Sequence, residues 1–234
     1  MRVLCSLLLL CGVLLVFIDA THLSKATTKM EPYSVTLRGQ VESIELNNIS
    51  SSGVTMVVKL KLELLNNGAS PVIFLATKPP SLVGAALAKS PTDLVSGKNL
   101  VLEYAGPAVD TSPEWAMLRK SLDQSSPPSD KARILRPNES WWLEDSVGIA
   151  FPTEAGKNSF IPKRESWEMI QKVSPVWLRV ICQVWPLNLE PPSRDRTELK
   201  FGYKLQQRWE RDGFLWLKPL YSDPVKLDLQ NIKQ

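Results

Sequence analysis

Histidine is nearly missing from this chain. The 234 residues hold one, His22, placed just after an apolar leader, so a mechanism that needs an imidazole base or a set of histidine metal ligands has nothing to draw on in the body of the protein. Cysteine is almost as scarce. Of the three cysteines, Cys5 and Cys11 fall in the leader, which leaves Cys182 alone and excludes an internal disulfide once the leader is removed. A body of about 200 residues buries enough surface to fold without bridges. Their lack tilts the reading toward a bacterial periplasm or cell envelope and away from a small disulfide-built secreted domain. Charge of one sign is lacking too: 28 basic residues face 24 acidic ones, for a net charge of +4. Bases and acids also alternate, as in Lys163-Arg164-Glu165 and Arg194-Asp195-Arg196, where nucleic-acid binding wants the positive charge gathered on one face. There is no glycine-rich phosphate loop, no Gly-x-Ser-x-Gly elbow, no Cys-x-x-Cys pair and no His-Glu-x-x-His helix. No cofactor, metal or nucleic acid is therefore expected.

What is present begins with an address. Met1 and Arg2 precede an apolar run from Val3 to Ile18, closed by Asp19-Ala20. This is the layout of an export signal occupying residues 1–20, with an uncleaved membrane anchor as the rival reading, since the run is just short of the 17 to 25 residues or so that span a bilayer. Leu10 before Cys11 is too large for lipoprotein processing. Residues 21–32 read as a linker. Asn48-Ile49-Ser50 and Asn138-Glu139-Ser140 fit the N-glycosylation pattern, which matters only in a eukaryotic host.

From residue 33 to 231 the chain reads as one elaborated domain built of strands. Val54, Met56, Val58, Leu60, Leu62 and Leu64 alternate with Thr55, Val57, Lys59, Lys61, Glu63 and Leu65, so one face is buried and the other mostly wet. Asn66-Asn67-Gly68-Ala69-Ser70-Pro71 then turns the chain, as a hairpin or a crossing between sheets, and Val72 to Leu75 resumes an apolar strand. An earlier strand covers Tyr33 to Leu46, with an irregularity near Gly39. Later ones cover Asn99 to Tyr104, Glu139 to Phe151 and Val176 to Val184, where Val176, Leu178, Val180, Cys182 and Val184 share a face. Cys182 is thereby read as an inert buried thiol. Phe201, Tyr203, Leu205, Gln207 and Trp209 alternate as well, which predicts a hairpin with Phe214 to Leu217 across the Glu210-Arg211-Asp212-Gly213 reversal. Val225, Leu227 and Leu229 predict a last strand. Helices are expected to be minor: one opened by Ser112 as cap and Pro113, carrying Trp115, Leu118 and Leu122, and a short one over Ser166 to Val173 with Trp167 and Ile170 facing inward. The pattern predicts an all-β fold, an antiparallel immunoglobulin-like β-sandwich with one or two short helices in loop insertions, preceded by an N-terminal hydrophobic helix. Two small sandwiches divided near Asp110 to Lys131 are the alternative.

Eight tryptophans are the one compositional excess. Trp141 and Trp142 are neighbours on a strand and must point to opposite faces, while Trp177 and Trp185 alternate out of phase with the apolar face around Cys182. Packing beneath the insertions is the bland reading of all eight. If Trp141 or Trp142 stood exposed and coplanar with Trp177 and Trp185, the group would form a platform for a sugar or a partner protein. Glu139, Glu144, Asp145 and Glu168 lie near tryptophans and supply the two acids that glycoside hydrolysis needs, although any one of many surface acids is far more often solvated than catalytic. Function is thus expected in this order: a non-enzymatic, exported or membrane-anchored module with a structural or protein-binding role; a carbohydrate-binding module using exposed tryptophans; a histidine-free carboxylate hydrolase. The expected partner is an unknown protein or a component of the cell envelope, with the membrane touched only through an uncleaved leader.

Overall fold

A computed structural model of the chain describes residues 32–47, 50, 52–104, 113–153, 165–185, 197–230 and 232. The expected leader helix, Asn48 of the first glycosylation pattern and the Ser112 cap lie outside them. Strands dominate these residues, and the helices are few and short.

Three long strands, β1 (Val35–Asn47), β2 (Gly53–Asn66) and β7 (Ser140–Pro152), make an antiparallel sheet in the order β1-β2-β7. The six apolar residues of β2 that alternate from Val54 to Leu64 are all buried, a face that contributes on the order of 10 kcal/mol before conformational entropy is subtracted. In β1 the apolar spacing slips, because Val41 and Ile44 are three residues apart and an unbroken strand would turn them to opposite faces. A bulge between Val41 and Ser43 absorbs the extra residue and pairs Val41 with Leu60 and Ile44 with Val58. The irregularity thus falls a few residues beyond Gly39. The reason for glycine there is the approach of β11 (Val225–Leu227), since an added Cβ would lie 3.3 Å from Val225 Cγ2.

The facing sheet is formed by β4 (Ser81–Ala88), β5 (Val101–Tyr104), β8 (Val176–Gln183) and β10 (Leu220–Tyr221), in the order β10-β8-β4-β5, with β11 also paired to β8. Its inward residues Ala85, Leu87, Leu178, Val180 and Cys182 pack with those of β2 and β7 in one core, the arrangement of an all-β sandwich. Ser222, itself buried, fixes one margin by accepting from Val180 N at 3.0 Å and donating its own N–H to Val180 O at 3.0 Å.

A small third sheet decides the rest. β3 (Val72–Leu75) lies between β6 (Ala132–Leu135) and β9 (Phe214–Leu215), and its pairing with β9 is parallel. The turn after β2 is therefore a crossing between sheets and not a hairpin. Both faces of β3 are covered: Val72 and Phe74 join the sandwich core, while Ile73 and Leu75 join a second core with Trp115, Leu122, Trp185, Leu205, Trp209, Leu215 and Leu217.

Four helices are described: α1 (Pro91–Ser96), α2 (Pro113–Leu122), α3 (Trp167–Val173) and α4 (Thr197–Arg208). Ser166 caps α3 by accepting from Met169 N, and Trp167 and Ile170 are buried as expected. α4 corrects the aromatic hairpin predicted over Phe201 to Leu217. Phe201, Leu205 and Trp209 satisfy a period of two, but at four-residue intervals they also fall on one side of a helix. Lys200, Lys204, Leu205, Gln206, Gln207 and Arg208 are good helix formers. Gly202 lets this helix lie close against its neighbours, with an added Cβ placed 3.0 Å from Leu217 and 3.2 Å from Trp185. By its contacts Pro32–Gln234 is one compact unit.

Candidate functional site

The four tryptophans singled out from the sequence are not brought together. Trp141 points inward from β7, is 9% exposed and lies beside Phe74 at 6.3 Å between ring centroids, with the Arg133 guanidinium 5.0 Å from its own centroid. Trp185 follows β8 and is 1% exposed, edge-on to Trp115 in the second core. The strand ends at Gln183, so the alternation that predicted an outward Trp185 no longer applies to it. Trp177 is half-buried under α1, against Ala86, Ala88 and Leu94. Only Trp142 is open, at 50% exposure on the outer face of the first sheet with Lys61 Nζ 5.3 Å from its ring centroid.

The candidate acids are likewise spread out, and two of them bond to the backbone. Glu139 accepts from Arg136 N at 2.7 Å. Asp145 accepts from Leu82 N at 2.8 Å through one oxygen and from Ser146 N at 2.7 Å through the other. Glu144 pairs in register with Lys61 on the outer face, and Glu168 lies in the first turn of α3. Among the described residues no cluster of three or more His, Cys, Asp or Glu is able to hold a metal ion.

Asp145 belongs to a seam between the sheets. β5 pairs with β4 only as far as Gly84, so among the described residues the first ones of β4 have no strand neighbour on that side. Across the opening run Ser146, Val147 and Gly148 of β7, and the two strands enclose a cleft of about 280 Å³ lined also by Leu82, Val83 and Glu103. Carboxylates span the gap where a backbone ladder is missing: Asp145 takes Leu82 N, and Glu103 takes Ala150 N at 3.3 Å. Both acids thereby satisfy edge N–H groups that would otherwise be left unpaired. Asp145 also acts on Cys182. Burial, and behind it the Asp145 charge, pushes that thiol up to about 12, far from a nucleophile's range.

The outer face of the second sheet is the less expected feature. Ala86 and Ala88 point outward from β4, and Leu102 pairs beside Ala86 while Arg179 pairs on its other side. Trp177 and Ile181 flank Arg179 on β8, Tyr221 pairs with Ile181, and Lys226 pairs with Trp177. Leu102 is 53% exposed and Tyr221 46%. The Arg179 guanidinium sits 5.0 Å from the Tyr221 ring centroid. Its Nε is buried and without a hydrogen-bond partner, and among the described residues no carboxylate pairs with it. A side-chain nitrogen shielded from water normally has a hydrogen-bond partner. Sequence reasoning missed this face. Its signal was in plain view, since a charged residue at every second position would mark the wet side of Val176 to Val184, and that side instead reads Trp177, Arg179, Ile181.

Comparison of the chain with protein-family models, with curated proteins and with solved structures finds no match.

Proposed function

We propose that this domain is a non-enzymatic module that works by contact with a partner, using the part of the outer face of the sheet formed by β5, β4, β8, β10 and β11 that α1 leaves open. The observation that carries the reading is Arg179, a guanidinium held in place by Tyr221, with exposed Leu102 on the same face and no acid paired to it among the described residues. A charge left uncompensated beside exposed apolar surface is stabilised when a complementary surface covers both. The two facing antiparallel sheets support a sandwich of immunoglobulin-like type as the scaffold, a class of architecture that hosts many binding functions. The basic start and apolar run at residues 1–20 support export to the bacterial periplasm or envelope, with Val3 to Ile18 as the anchor if the leader is retained.

Two observations weigh against the other readings. A sugar platform would rest on Trp142 alone, since Trp141 and Trp185 are buried and Trp177 lies under α1. A hydrolase would need two free acids converging on a hollow, whereas Asp145 and Glu103 at the cleft are committed to Leu82 N and Ala150 N.

Contact is tested in the native host with a photo-crosslinking residue at position 102, using position 117 on α2 as the control, because Met117 is also exposed and apolar but lies elsewhere. The expected result is a discrete adduct from 102 and none from 117. Equal labelling at the two positions, or none at either, removes the proposal.

A further inference from the structure

We infer that the face around Arg179 receives a short segment of a partner protein in which an aspartate or glutamate is flanked by apolar side chains. This rests on the contact reading above and specifies what is contacted. Arg179 is the fourth of eight residues in β8, one of the two inner strands of its sheet, so it stands near the middle of the face. Its ladder neighbour on one side is Ala86, itself buried with Ala88 and Leu94 at α1, and Leu102 stands exposed beyond. With Nε walled in and unpaired, only the terminal nitrogens of the guanidinium are left to take an acceptor. A carboxylate fits that position best, because it accepts charge-assisted hydrogen bonds from two terminal nitrogens at once. Lys226 on the same face adds to the attraction, and Leu102, Ile181 and Tyr221 offer apolar contact on either side of the charge.

Two other occupants fit less well. A second copy of this chain docking face to face about a twofold axis would set Arg179 and Lys226 against the same cations of its mate, a like-charge contact that disfavours association. An anionic lipid surface is held by clusters of flexible cations and a deeply inserted apolar face, whereas here one guanidinium is pinned on an aromatic ring within a sheet.

The test uses the full chain and an array of nine-residue peptides with a central Asp or Glu between Leu, Phe or Tyr residues, each matched by its Asn or Gln counterpart. The wild-type protein is expected to retain acidic peptides about tenfold more tightly than their amide counterparts, the discrimination typical of a charge-assisted pair. Arg179→Gln is expected to abolish that preference while leaving amide peptides unchanged. Leu102→Asp, at an exposed position where folding is not at stake, is expected to weaken acidic peptides selectively by repulsion. Unchanged circular dichroism and thermal midpoint verify that both variants are folded. Equal retention of acidic and amide peptides, no retention of any peptide, or Arg179-dependent capture by phosphatidylglycerol vesicles in place of peptides each overturns the inference. If the adduct at position 102 persists in any of those cases, the contact reading stands and only the acidic segment is lost; if that adduct is missing as well, both fall.

Discussion

Asn66 is the residue whose removal is expected to do the most damage for its size. It is completely buried at the end of β2, where its Nδ2 donates to Leu135 O at 2.8 Å and to Ser70 O at 2.9 Å, and its Oδ1 accepts from Gly68 N at 3.0 Å. Those three bonds tie the first sheet to the crossing loop and to β6 of the third sheet. Asn66→Ala takes the donor from two carbonyls, Leu135 O and Ser70 O, while Gly68 N keeps a second acceptor in Ser34 O at 3.1 Å. Each carbonyl that loses its donor costs roughly 1 to 3 kcal/mol, and with Ser70 O only part-buried and able to recover some of its loss the sum is about 2 to 4 kcal/mol. For a domain stabilised by some 5 to 15 kcal/mol that is a large share. Urea denaturation followed by tryptophan fluorescence reads the change directly, as a lower midpoint at constant slope. Asn66→Asp adds a signed test. At pH 7 an ionised carboxylate would face two carbonyl oxygens in a buried site, so this variant is expected to be less stable than Asn66→Ala. The folded state then gains by binding a proton that the unfolded state binds more weakly, so the deficit shrinks as pH falls from 7 toward 4. A loss under about 1 kcal/mol for Asn66→Ala, or a pH-independent gap between the two variants, would refute the claim that these bonds hold the sheets together.

Three further outcomes follow from the same geometry. Trp185→Ala is expected to cost about 3 to 5 kcal/mol as a cavity in the second core, whereas Trp142→Ala on the open face leaves the denaturation midpoint within the scatter of surface substitutions; equal losses in urea melts would contradict the burial described. Gly68→Ala and Gly213→Ala are each expected to destabilise by about 1 to 3 kcal/mol, since the new Cβ would lie 2.6 Å from Ser34 N in the first case and, at φ +154°, 2.9 Å from Pro71 O in the second; differential scanning calorimetry measures both, and an unchanged midpoint in either would show that the backbone relaxes freely. The Cys182 thiol, pushed up to about 12 by burial, is expected to resist a disulfide-exchange reagent until denaturant is added. Because the unfolded thiol ionises near 9 while the folded one stays protonated, stability falls as pH rises from about 9 toward 12, and Cys182→Ala is expected to lessen that slope.

What could be read from the residues was whatever depends on one strand and one face. The alternation from Val54 to Leu64 and from Val176 to Val184 placed the apolar side chains correctly, because burial against any partner requires period two whatever that partner is. Ser166 marked the start of α3 for an equally local reason, a hydroxyl accepting the N–H of Met169. Three things needed the tertiary structure. Residues 201 to 209 satisfy both periods, and the packing of Phe201, Leu205 and Trp209 into the core that holds Trp185, together with the close approach allowed by Gly202, goes with a helix through Arg208. β3 has four consecutive apolar residues and no alternation, so only its position between two cores explains why every one is buried. The sequence pattern places Arg179 on the outer side of its strand, but which residues stand beside it was decided by the pairing of β4, β5 and β10 with β8, strands far apart in sequence. Periodicity is a property of the chain alone; whether a side chain meets water, a core or an unmet charge depends on what the rest of the chain places opposite it.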